Sequence, residues 1–101
     1  MIQKTDKYTE LSDFEINKKV AERLFLKFSD CYSVILVDGE IFDPCNNPQD
    51  AMPIIVENGI SIIKSSGGWM CGSGWNVAEN KNPLRACMEV FLMIKDAENE
   101  D

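Results

Sequence analysis

Apolar positions along this chain are spaced in two ways, as helical stripes and as short unbroken runs. From Leu11 to Phe25 they fall at Ile16, Val20, Ala21 and Leu24, the three-to-four spacing of a helix with one buried face. Ser12, with Glu15 three residues on, supplies a capping box, and Leu11 can staple against Ile16. The expected helix covers 13–25, with Lys18, Lys19, Glu22 and Arg23 mainly toward water. Tyr32-Ser33-Val34-Ile35-Leu36-Val37 is a β-branched apolar run, bounded by Ser29-Asp30 before it and Asp38-Gly39 after it. Asp-Gly suits a two-residue hairpin turn because both central positions need positive φ. The chain should return as a short strand at 40–42, which Pro44 and Pro48 end.

Pro53 bears on where the second helix begins. Capped by Asn47, the helix would hold Pro53 inside and lose a backbone bond. Capped by Asp50, it would place Pro53 third, where no intrahelical N–H is needed. The expected helix is therefore 51–58, with Asn47 starting a preceding turn and Gly59 stopping the chain after Asn58. Residues 60–64 predict a strand, and a ragged hairpin is expected within 69–78, broken by Gly72-Ser73-Gly74. That glycine-rich stretch lacks the Lys-Ser/Thr and helix start of a phosphate loop. Asn82 as cap and Pro83 at the first position open a helix over 83–95. Its apolar arc is broad enough for the central helix of the core or for a dimer contact. The fold class expected is α+β: a small, mainly antiparallel sheet with about three helices, in the order α-β-β-α-β-β-α.

A length of 101 residues, 45% apolar, suits a single domain over 1–101, with 1–8 and 97–101 expected to fray. No apolar stretch of about 20 residues predicts a membrane span, and the first residues lack the apolar core of a secretion signal, so the expected compartment is the cytoplasm. Cys31, Cys45, Cys71 and Cys87 form no paired CxxC, and the chain has no His. Free thiols acting as small apolar fillers are expected, with no metal, no cofactor and no catalytic residue. Lacking His, the chain also lacks the commonest general base, and an enzyme is not expected.

Charge adds a direction. The net charge is −7, and residues 30–63 hold six acids (Asp30, Asp38, Glu40, Asp43, Asp50, Glu57) with no base. Clustered Lys and Arg would mark a nucleic-acid binder, so the pattern points instead to a protein partner with a basic surface. The alternative kept open is nucleic-acid binding through Lys18, Lys19, Arg23 and Lys27.

Three segments, 11–21, the run from Asp43 to Ile60, and 82–93, occur in an order that resembles the NinX-like family of small proteins from lambdoid phages and prophages. The resemblance covers roughly residues 10–95. It departs at Met52, where a Trp is expected, and in a shorter hairpin at 31–42. It implies an accessory phage product acting in an infected bacterial cell, on a host or phage protein, with counter-defence inhibition as one form. No mechanism comes with it.

Candidate partner-binding residues are Asp38, Glu40, Asp43, Asn46, Asn47, Trp69 and Trp75, taken from the acidic hairpin, the proline-bracketed turn and the two indoles. Turn and cap roles compete for Asp43, Asn46, Asn47 and Asp50, which lack the ligand spacing of a calcium loop. Cys45 lies near a helix start, where a thiol can become reactive. Arg85, in the first turn of the last helix, works against the helix dipole and should have a tertiary carboxylate, from Asp43, Asp50 or Glu57.

Overall fold

The computed structural model describes residues 7–99. Helix α1 spans Asp13–Arg23, followed by β1 (Phe28–Cys31), β2 (Val34–Val37) and β3 (Glu40–Phe42). Helix α2 covers Pro48–Glu57, and β4 (Ser61–Ser65), β5 (Gly68–Ser73) and β6 (Asn76–Asn80) lead to α3 (Pro83–Glu98). The class is α+β, but the strands form two antiparallel sheets rather than one: β1-β2-β3, here sheet A, and β4-β5-β6, sheet B. Counted singly, the order is α-β-β-β-α-β-β-β-α.

The caps explain the helices. At α1, Ser12 Oγ accepts from the Glu15 N–H at 3.1 Å, and Glu15 Oε1 accepts from the Ser12 N–H at 3.0 Å. Two residues short of the expected end, the chain leaves the helix through Phe25, at φ 58°. Phe25 N–H bonds Glu22 O and Leu26 N–H bonds Ala21 O, a left-handed helix stop usually built on glycine. Gly59 makes the same stop after α2, with Ile60 N–H on Ile55 O.

Asn47, not Asp50, caps α2: its side chain accepts from the Gln49 N–H at 3.0 Å, and Pro48 takes the first helical position. Pro53 thus lies inside the helix. The carbonyl it leaves without a donor belongs to exposed Gln49, which water can satisfy. Asp50 is drawn away from capping because its Oδ2 accepts from the Asp43 N–H at 2.9 Å.

The second departure is β1. The turn joining it to β2 is Tyr32-Ser33, where a strand was expected to start, and Tyr32 stands at φ 58°. Asp38 and Gly39 turn at φ 53° and 79°, as expected for Asp-Gly. In sheet B, Gly72 and Ser73 belong to a continuous β5, and Gly74 (φ 62°) with Trp75 forms a two-residue turn. The hairpin is regular rather than ragged.

Helix α3 is the centre. Ala86, Cys87, Met88, Val90, Phe91 and Leu92 are fully enclosed by α1, α2, β5 and β6, each large apolar side chain contributing roughly 1.5–3 kcal/mol of burial. Leu24, expected in the core, is half-buried at its margin. Ile35 is buried under α1, outside the main cluster, so sheet A is a satellite of the core.

Of the segments expected to fray, Tyr8 is buried and α3 continues through Glu98. The Tyr8 hydroxyl donates to Asp96, which also takes Arg23 and Lys7 (3.2 Å). Residues 1–6 and 100–101 lie outside the described residues.

Candidate functional site

Three helix starts converge on the loop between β3 and α2: Asp13 of α1 and the Asn82 cap of α3 both reach Asn46, which stands next to the Asn47 cap of α2. Asn46 Nδ2 donates to Asp13 Oδ2 (3.1 Å) and to Asp43 (3.2 and 3.3 Å). Asn17 Nδ2 donates to Asp43 Oδ1 (2.8 Å), while its Oδ1 accepts the Cys45 N–H (3.1 Å). Asn82 caps α3 and also donates to Cys45 O (2.7 Å) and Asn46 Oδ1 (3.1 Å).

Beneath this knot lies Arg85, 6% exposed. Nη1 meets Asp13 Oδ1 at 2.7 Å, Nε meets Glu89 Oε2 at 2.6 Å, and Nη2 donates to Tyr8 O (2.9 Å) and Leu11 O (2.7 Å). The expectation of a tertiary carboxylate is met by Asp13, not by Asp43, Asp50 or Glu57. Asp43 and Asp50 are turned into the loop, and the planar fork of Arg85 fits carbonyls and carboxylates from two directions. Burial alone would lower its pKa, but Asp13 and Glu89 raise it above the ordinary value.

The segments 11–21, 43–60 and 82–93 meet in this knot. A family profile for NinX of bacteriophage P22 matches residues 7–95. The chain belongs to the NinX family. Neither curated proteins nor solved structures gave a match. Within the matched span, Asp13, Asn46, Asn82 and Arg85, drawn from all three segments, hold three helix starts together.

Asp43 and Asn47 are half-buried and Asn46 is exposed, and the side chains of all three are engaged in the loop and in capping α2. With Asp13 and Asn17, Asp43 and Asn46 line a cleft of about 150 Å³, whose apolar wall includes Phe14, Ile35 and Phe42. Among the described residues, no three His, Cys, Asp or Glu side chains gather to hold a metal ion. The Cys45 thiol, though it stands near a helix start, is buried; burial first and Asp13 next push its pKa well up. Cys71 and Cys87 are also buried, sulfur to sulfur at 3.2 Å, and burial raises both thiols.

The remaining candidates are dispersed. Asp38 and Glu40 are exposed on the β2–β3 hairpin, Trp75 is 94% exposed at the β5–β6 turn, and Trp69 is half-buried with Lys64 5.1 Å from its ring centre. The six acids of 30–63 do not act as one group. Asp30 pairs with Lys18 at 3.0 Å, Asp43 and Asp50 are bound in the loop, and Glu57 ends α2. The basic stripe of α1 is likewise broken, because Lys18 is held by Asp30 and Arg23 by Asp96, while Lys19 and Lys27 stay exposed.

Two residues that sequence reasoning missed stand out on sheet A and its lead-in. Phe25 is 92% exposed and Tyr32 is 99% exposed, and both are held at positive φ. Among the described residues, the non-glycine positions with positive φ are Phe25, Tyr32 and Asp38. All three flank the strands of sheet A. No sequence signal marks a left-handed Phe or Tyr, since both are disfavoured there. No helix among the described residues is long and apolar enough to cross a membrane.

Proposed function

We propose that this NinX-family chain is a non-enzymatic interaction protein that binds a host or phage protein through sheet A and its lead-in. The partner surface would be basic and carry apolar recesses. The observation that carries the reading is two strained, exposed aromatics on one sheet: Phe25, leading into the end of sheet A that holds the exposed acids Asp38 and Glu40, and Tyr32 at the opposite end. A left-handed conformation costs a bulky residue about 1–2 kcal/mol, and leaving its ring in water recovers none of that in the free protein. Aromatic rings with a charged rim are the usual anchors of a protein interface. The acids favour a basic partner and repel nucleic acid from the same side. A protein that itself grips nucleic acid offers such a basic groove, which makes a counter-defence inhibitor in the infected bacterial cytoplasm one form of the proposal.

Capture from infected cells tests it, using wild type, Asp38→Lys/Glu40→Lys and Phe25→Gly/Tyr32→Gly. Asp43→Lys is excluded because Asp43 belongs to the loop structure. The glycine pair should fold with equal or higher stability, by up to about 1 kcal/mol per site, since relief of strain outweighs the extra freedom of the unfolded chain. Both double variants should lose the partner that wild type captures, and added salt should weaken capture by wild type. Retention of the same partner by both variants sinks the proposal. Tight DNA binding lost on changing Lys19 and Lys27 would favour the nucleic-acid reading instead.

A further inference from the structure

Sheets A and B expose four edge strands, and three of these carry an acid: Asp30 in β1, Glu40 in β3 and Glu79 in β6. The fourth, β4 (Ser61-Ile62-Ile63-Lys64-Ser65), carries none, and every residue in it except Ser65 is exposed. Natural edges are usually protected by charge, proline or a bulge. Lys64 is the sole charge on β4, and it lies over the Trp69 ring.

The geometry of this edge is self-complementary. Ser65 and Gly68 close a two-residue turn, and the register continues through Ile63–Met70 to Ser61–Gly72. Hydrogen-bonded pairs alternate in an antiparallel ladder, starting at the closing pair. That alternation uses the backbone of Ile63 toward β5 and leaves the N–H and C=O groups of Ile62 and Lys64 aimed outward. A second β4, antiparallel to the first, satisfies them when Ile62 faces Lys64 of the other copy and Ile63 faces its own counterpart. The two Ile63 side chains then form the close, non-hydrogen-bonded pair at the two-fold axis, and no like charges stand directly opposite. Ile63 is 61% exposed and Met70, across from it on β5, is 40% exposed, so the pairing joins apolar positions of both copies.

We propose that β4 is the pairing edge of a symmetric homodimer, in which two copies of sheet B form one six-stranded sheet. The occupant is a second copy, because this register serves both strands alike and because the other edges would set acids beside a chain of net charge −7. Two short strands bury less than a standard interface, so the dissociation constant should lie at roughly tens to hundreds of micromolar. Each copy repels the other through its net charge, so salt should strengthen the dimer. Salt should weaken the partner binding proposed above, which keeps the two proposals separable.

Sedimentation of the full chain over roughly 10–500 µM tests this. The mass should rise from 11.4 kDa toward twice that value, at lower concentration when salt is added. Ile63→Lys puts two ammonium groups face to face and should stay at 11.4 kDa with unchanged circular dichroism. Lys64→Pro removes an outward N–H, which an edge strand tolerates, and should also stay monomeric. A wild type that stays monomeric across the range overturns the proposal. So does dimerisation that persists in Ile63→Lys, or open-ended growth beyond a dimer. A monomeric wild type that captures an added extended peptide along β4 would show the edge serving a foreign strand, and would equally overturn it.

Discussion

Arg85 shows how one side chain can connect distant parts of a chain. Its guanidinium satisfies two carboxylates and the carbonyls of Tyr8 and Leu11, in a position only 6% exposed. Removing it takes the guanidinium away from Glu89, a carboxylate at 1% exposure. Arg85→Ala should therefore cost about 3–5 kcal/mol in urea unfolding at pH 7. Arg85→Lys should recover only a minor part, because one ammonium cannot reproduce three nitrogens aimed in different directions. A loss below about 1 kcal/mol for Arg85→Ala would mean that the pairing adds little beyond solvation. The need for a tertiary carboxylate was legible from the position of Arg85 in its helix. Asp13 was not, since it is 72 residues away and nothing local indicates that the two meet.

Among the elements, the turns differ in how much substitution they tolerate. Gly39 stands at φ 79° with open space where a Cβ would go, so Gly39→Ala should cost only the conformational penalty, about 1–2 kcal/mol. Gly68 is tighter. At φ 145° a Cβ would lie 2.6 Å from Asn80 O and 2.9 Å from Lys81 Cα, both backbone atoms. Gly68→Ala should cost more than Gly39→Ala by thermal unfolding, because the β5–β6 ladder must shift as well. Equal costs would show that sheet B yields easily at that corner. The same contrast explains what could be read from sequence. Caps built on Ser12-Glu15 and Asn82-Pro83 are local patterns and were legible, as was the Asp38-Gly39 turn. Strand β1 was hidden because its turn uses Tyr32-Ser33, without glycine or asparagine. Helix α2 was placed three residues late because a rule about interior proline was outweighed by the Asn47-Pro48 cap and by the tie between Asp50 and Asp43. Of the candidate site, Asp38 and Glu40 were legible as an acidic hairpin, whereas the aromatics Phe25 and Tyr32 depend on backbone strain that no residue preference announces.

For the whole molecule, Asp96 gathers the segment before α1, α1 itself and α3. Burial tends to raise its pKa, but Tyr8, Lys7 and Arg23 outweigh that and hold it below the usual carboxylate value. A lowered folded pKa means that the stabilisation is present above the unfolded value, about 3.9, and is lost as pH falls through the folded value. Urea midpoints of wild type should therefore fall more steeply below about pH 4 than those of Asp96→Asn. Parallel acid limbs for the two proteins would remove Asp96 from the acid response.

The bonds from Arg85 to Tyr8, Leu11 and Asp13 also impose an order on synthesis. The α1 segment and the residues before it leave the ribosome first, yet the donor that satisfies the Tyr8 and Leu11 carbonyls lies 74 to 77 residues downstream. Closing so long a loop is slow compared with forming local turns, and its entropy cost comes before its contacts form. Sheet A, whose strands lie within Phe28–Phe42, needs no such wait for its own pairing. On the nascent chain the hairpins can form early, while the core closes only after residue 85 has emerged.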